Sequence, residues 1–155
     1  MASAVSTDSL QTRFLIGAYD HDPGTTNAKV ISADGGTTEI WVDMRDYSRL
    51  LVLVTPGALT GNGPTLVEIV ASDSEDETDT SVTQIKTSGT VAADALGDYV
   101  IVECTAEEIA HAASTYNLRY ATARITCQNA ADECVAVIFA ESKRPTDGLS
   151  ATTIA

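Results

Sequence analysis

The sequence is poor in the residues that catalytic centres draw on. Its 155 residues include two histidines, His21 and His111, and three cysteines, Cys104, Cys127 and Cys134, that form no C-x-x-C pair. Few general bases are therefore at hand, and the cysteine spacing argues against a zinc site. Basic residues are scarce as well: nine Lys and Arg against 22 Asp and Glu leave a net charge of −13. Affinity for nucleic acid rests on cations that neutralise phosphates, and adhesion to anionic membranes rests on basic clusters, so this balance excludes both as direct partners. Aromatic residues make up 5% of the chain, so the core is expected to be thin and built from Ala, Val, Leu and Ile. No apolar run approaches the ~20 residues that cross a bilayer. Met1–Arg13 has neither the basic nor the apolar region of a secretory signal. These absences predict synthesis and folding in a cytosol, with the cysteines reduced and packed as small hydrophobes.

What is present is β-structure. The stretch Ile40–Val54 alternates Ile40, Val42 and Met44 against Trp41 and Asp43 and passes a polar corner, Arg45–Arg49. It then enters an unbroken apolar run, Leu50–Val54. Alternation predicts a half-buried strand, and the unbroken run predicts one covered on both faces. Further strands are expected at Arg13–Tyr19, Lys29–Ser32, Thr38–Met44, Leu50–Thr55, Thr65–Ala71, Val82–Thr87, Asp98–Cys104, Leu118–Cys127 and Cys134–Glu141, with turns at Pro23-Gly24, Gly35-Gly36 and Pro56–Pro64. One helix interrupts them. Thr105-Ala-Glu-Glu108 has the form of a capping box, with Glu107 and Glu108 where a helix favours negative charge, and the helix should run to about Ala113. The expectation is an all-β, two-sheet β-sandwich, jelly-roll-like, with one short α-helix and extended terminal arms: residues 1–12 as an N-terminal arm, 13–141 as the sandwich and 142–155 as a C-terminal tail.

The candidates for chemistry are sparse. Glu108 and His111 share a helix face at a spacing suited to a base and its orienter, yet no nucleophile motif accompanies them, and a surface pair is the expectation. Asp73–Asp79 holds five carboxylates in seven residues. It lacks the glycine and glutamate of a calcium loop, since Thr78 and Gln84 stand at those places, so a solvated surface loop is expected. Gly57, Gly61 and Gly63 lie between strands, where they cradle no phosphate. Trp41 and Tyr47 have the faces to stack on a sugar, but a lone Trp beside a core strand serves packing. Cys127 and Cys134 stand at the two ends of what reads as a hairpin loop, QNAADE, where they could face each other.

The segments WVDMRDYSRLLVLVTPGAL, ALGDYVIVECTAEEI, NLRYATARITC and the closing DGLSATTIA resemble a group of small virion structural proteins of tailed bacteriophages. In that group a WVDM-x-x-Y strand and corner precedes an apolar strand, a GDYV strand leads to an AEEI helix, and an LRY strand follows. The resemblance covers about Thr38–Ala155. It implies a capsid decoration, or cement, protein: a homotrimer without catalysis or cofactor, on the capsid exterior after synthesis in the host cytoplasm. Its partners would be the major capsid protein or other virion subunits. A tail or collar location fits the resemblance as well, and a carbohydrate-binding jelly roll is the alternative from another class. Interface anchors favour Trp, Tyr and Arg, and close approach of acidic copies needs cations. The candidate interface residues are therefore Trp41, Tyr47, Arg45, Arg49, Lys143 and Arg144.

Overall fold

The computed structural model describes residues 13–21, 28–33, 38–57, 63–75, 82–93, 95, 97–112, 118–129 and 132–143. The arm expected at Met1–Thr12, residues 144–155 of the tail expected at 142–155, Arg144 among them, and most of the acidic loop lie outside them, while Ser142 of that tail belongs to the last strand. The strands are β1 (Arg13–His21), β2 (Ala28–Val30), β3 (Ser32–Ala33), β4 (Thr38–Glu39), β5 (Val42–Asp43), β6 (Tyr47–Pro56), β7 (Pro64–Ser72), β8 (Thr83–Thr87), β9 (Val100–Thr105), β10 (Tyr120–Cys127) and β11 (Cys134–Ser142). The one helix among the described residues, α1, spans Ala106–Ala112.

Two antiparallel sheets form the molecule. Sheet A has the order β1-β11-β6-β9, and sheet B has the order β2-β10-β7-β8 with β5 also on β10; β3 and β4 make a small separate ribbon. Chain-successive strands β1 and β2, β6 and β7, β8 and β9, and β10 and β11 fall in opposite sheets. This interleaving of eight principal strands is the jelly-roll order, and the expected two-sheet sandwich is what the chain forms.

Strand alternation sends one side chain in two to the space between the sheets. Sheet A contributes Leu50, Val52, Val54, Val102, Ala136, Ile138 and Ala140; sheet B contributes Val67, Ile69, Ala71, Ala121, Ala123 and Ile125. Small alanines on β10 and β11 face larger Ile and Val, which lets two sheets close without aromatic filling.

The capping box forms as read. Thr105 Oγ1 accepts from the Glu108 N–H at 3.1 Å, and Glu108 Oε2 accepts from the Thr105 N–H at 2.9 Å. Buried Ile109 fixes the helix to the core, and Lys86 on β8 donates to the other oxygen of Glu108. Thr105→Ala should lower stability at neutral pH by about 1 kcal/mol, read as a fall of roughly 2–4 °C in melting temperature. The Glu108 carboxyl is held below its ordinary 4.5, first by the Lys86 hydrogen bond and then by the Thr105 N–H. A depressed carboxyl contributes stability that is present above its unfolded value and lost as pH falls through the lower folded value. The wild-type advantage over Glu108→Gln should therefore shrink on acidification below that range.

Two expectations need correction. Thr38–Met44 is not one strand. Its first half pairs with β3 and its second half with β10, and the Ile40 N–H bonds to Ile31 O at 2.9 Å between them. A single alternating pattern served two partners. The segment joining β10 to β11 is not a hairpin, because β10 lies in sheet B and β11 in sheet A. Glu68, which lies on the side of β7 opposite Val67 and Ile69, is also buried, at 5% exposed. β7 lies inside its sheet with both faces covered, and Glu68 meets Arg124 of β10 at 2.8 Å.

Candidate interaction surface

The outward side of sheet A breaks the rule that a two-layer sandwich shows polar residues to solvent. On β6 the outward positions are Arg49, Leu51, Leu53 and Thr55, which alternate with buried Leu50, Val52 and Val54. Register places Leu53 between Ile101 of β9 and Val137 of β11, with Ala18 of β1 beyond Val137. Leu51 lies between Glu103 and Phe139, and Thr55 faces Val135. An apolar field thus crosses all four strands. Leu51, Leu53, Val135, Val137 and Phe139 are half-buried, and Ile101 is 52% exposed. The expectation that Leu50–Val54 is covered on both faces is corrected here. Its even positions are covered by sheet B, while its odd positions face outward.

At one end this field meets charge: Arg49 stands opposite Glu141 and lies 4.0 Å from Glu103. At the β9 margin stands Tyr99, 65% exposed. Grooves flank Tyr99 and Ile101 on both sides. One, about 480 Å3, is bounded by Leu53, Thr55 and Pro56; the other, about 430 Å3, by Ser88 and Val91–Ala93. β9 is also the least protected margin of the sandwich. Sheet edges are commonly blunted by lysine, proline, a bulge or brevity. β8 has Lys86 and a register shift, β1 has a register shift, and β2 has three residues. β9 has only Glu103. The opposite side of sheet B contrasts with this: Val70 and Thr122 there are 0% exposed and Ser72 is 2% exposed.

The residues expected at an interface are placed as follows. Arg45, Tyr47 and Lys143 come together at one corner of the sandwich. Asp43 anchors it, accepting from Arg45 and from Arg119 Nε at 3.0 Å. Lys143 Nζ donates to Met44 O at 2.8 Å, its backbone N–H donates to Asp46 O at 3.1 Å, and Tyr47 pairs with Ser142. These groups are engaged in closing the corner. Arg49 alone among them sits on the apolar face. Trp41 is half-buried and separate, its indole N–H on Glu39 at 3.0 Å. Arg144 lies outside the described residues. The residues missed are Leu51, Leu53, Tyr99, Ile101, Val135, Val137 and Phe139. Their signal was present, since LLVLV and CVAVIFA are apolar on both parities in strands of a sheet with one covered face.

The groups weighed for chemistry have other duties. Glu108 serves the cap and Lys86, and His111 Nδ1 lies 2.7 Å from the Glu107 carbonyl rather than against Glu108. Gly63 adopts a left-handed φ of 62° and its carbonyl accepts from Gln128; a side chain at Gly57 would meet the Glu133 carbonyl at 3.1 Å. Both glycines therefore answer backbone needs at the ends of their loop. Tyr120, an aromatic face of the kind that stacks on sugars, is taken by Arg119, whose guanidinium lies 4.6 Å from the ring centre. Among the described residues no three His, Cys, Asp or Glu side chains converge as a metal site, and no helix is long and apolar enough to cross a membrane.

Compared with known family models, curated proteins and solved structures, the chain matches none.

Proposed function

We propose that the protein is a non-enzymatic structural subunit of a tailed-bacteriophage virion, a head decoration protein, and that it binds the capsid exterior or its own copies through the outward face of sheet A. The observation that carries this reading is the apolar field across β1, β11, β6 and β9. Contiguous apolar patches of this kind mark contact surfaces. The phage resemblance of the chain supplies the class of partner, and the jelly-roll order suits it, since capsid proteins are among those that use this architecture. Fold alone selects no function, and lectin domains share the order. Trp41 and Tyr47 are half-buried and Tyr120 is stacked on Arg119, so Tyr99 is the one exposed aromatic among the described residues where a sugar platform would present several, which favours the structural reading over carbohydrate binding.

Four strands ~4.8 Å apart and about five residues of ~3.3 Å each give a face of roughly 300 Å2 in plan. A stable interface takes about 800 Å2 from each partner. The face therefore forms the centre of a contact that other segments complete. β1 opens with Arg13 directly opposite Glu141 of β11. The arms expected at residues 1–12 and 142–155 are the segments proposed to complete that contact. Repetition over many symmetry-related copies multiplies a modest affinity per site, and a homotrimer is the assembly proposed. The test is co-sedimentation with decoration-free heads of the source phage. Saturable binding, weakened by removal of residues 1–12 and 144–155 while the β spectrum is kept, is expected. Failure of the intact protein to bind heads, together with a monomer at micromolar concentration in light scattering, would refute the reading.

A further inference from the structure

We propose that Cys127 and Cys134 are a redox pair that a low-molecular-weight disulfide converts into one intramolecular disulfide, tying sheet B to sheet A. Cys127 is the last residue of β10 and Cys134 the first of β11, so the bond would join the two layers at their crossover. Both side chains are 1% exposed and point into the shared core. Their backbones are held from several directions. Cys127 pairs with Pro64 and Cys134 with Pro56. The Gln128 N–H bonds to Gly63 O at 3.1 Å and the Gly57 N–H to Glu133 O at 2.8 Å. Within the turn, the Asn129 N–H donates to Asp132 Oδ2 at 3.1 Å and the Asp132 N–H to Asn129 O at 3.2 Å. The two thiols stand close enough for each to shift the other's titration. With both backbones held at the ends of one turn, side-chain rotation and small backbone adjustment bring the sulfurs to bonding distance.

The third thiol is excluded by position. Cys104 pairs with Leu50 on β6, whereas Cys134 pairs with Pro56. Those positions are six residues apart along one strand, about 20 Å. Burial also pushes the Cys104 thiol up to about 12, which leaves it protonated and unreactive. Within the pair, the hydrogen bond from Cys134 lowers the Cys127 thiol, and the same bond together with burial raises that of Cys134. Either thiol can begin the exchange, and the balance is the same. When Cys127 does so, its thiolate attacks one sulfur of the small disulfide RSSR and expels RS−, leaving Cys127 in a mixed disulfide. Cys134 gives up its proton to the expelled thiolate, attacks the Cys127 sulfur and expels the second RS−, which takes up the proton that Cys127 lost. Two protein thiols and RSSR become one protein disulfide and two RSH; RSSR is reduced by two electrons. Burial of both thiols makes the exchange slow in the folded chain and fast during refolding. The inference is independent of the virion reading. A chain folded reduced in a cell would acquire this bond on meeting an oxidising medium.

The experiment refolds the full chain from denaturant in a mixture of oxidised and reduced glutathione. Thiols are then counted under denaturing conditions and a non-reducing digest is mapped by mass. The three thiols of the reduced chain should fall to one, the map should show a 127–134 linkage with Cys104 free, and melting should rise by several degrees and return with dithiothreitol. Cys127→Ser should keep both remaining thiols. Three thiols surviving refolding, a linkage that contains Cys104, or disulfide-bonded dimers would each overturn the proposal. The map on the wild-type chain decides the matter even if the serine variant folds poorly.

Discussion

Leu53→Glu should weaken binding to phage heads at least ~100-fold, a loss of about 2.7 kcal/mol or more per site, while leaving the chain folded. Leu53 is half-exposed in the free protein, so a charged replacement meets water there and costs little. In the complex the same position lies at the centre of the apolar field, with Ile101 on one side and Val137 on the other. There a carboxylate must be stripped of water with no cation at hand, since Arg49 stands two outward positions away along β6 and is already near Glu103. Desolvating an unpaired charge is far costlier than losing the ~1.5–3 kcal/mol that a buried leucine contributes. Co-sedimentation across a concentration series gives the binding change, and thermal melting shifted by no more than about 3 °C shows that the sandwich is intact. Equal binding of the variant and the wild type would mean that this face is not the contact.

Arg124→Ala should destabilise the fold by about 3–5 kcal/mol, a fall of roughly 6–20 °C in melting temperature for a chain of this size. Arg124 Nε donates to Glu68 Oε2 at 2.8 Å, and the Glu68 side chain is 6% exposed. Removing the guanidinium strands a carboxylate inside sheet B, where water cannot replace the lost partner. The pair itself adds much less than this, because bringing both ions out of water offsets most of their attraction. The double variant Glu68→Leu with Arg124→Met should therefore recover most of the loss, which thermal melting of the two singles and the double reads as a mutant cycle. A single variant as stable as the wild type would show that the pair is solvated after all.

The two cases mark where the sequence was readable. Period-two alternation and the capping box are local, so the strand at Cys134–Glu141 and the helix after Thr105 stand within one or two residues of expectation. Pairing is not local. Nothing near Glu68 announced that Arg124, 56 positions later, would lie beside it in the sheet, and alternation alone told only that Glu68 faces away from Val67 and Ile69. The same limit turned the β10–β11 crossover into a hairpin, because a six-residue polar turn looks alike whether the next strand pairs or changes layer. Thr38–Met44 kept one alternating rhythm while its halves joined different strands. LLVLV was legible as a strand that buries both faces, and VAVIF is apolar on both parities in the same way. What periodicity could not tell is whose atoms provide the second cover, and here the chain's own sheet B provides only one.

The central claim, that the outward face of sheet A is the contact surface, is tested most directly by hydroxyl-radical footprinting of side chains in the free protein and in the head-bound protein. Tyr99 and Ile101, the two large hydrophobic side chains exposed among the described residues, should label readily in the free chain and lose most of that labelling when bound, together with Leu53 and Phe139. Gln84 on β8, on the other sheet, should label equally in both states. Undiminished labelling of Tyr99, Ile101, Leu53 and Phe139 on heads, with protection appearing on sheet B instead, would contradict the account.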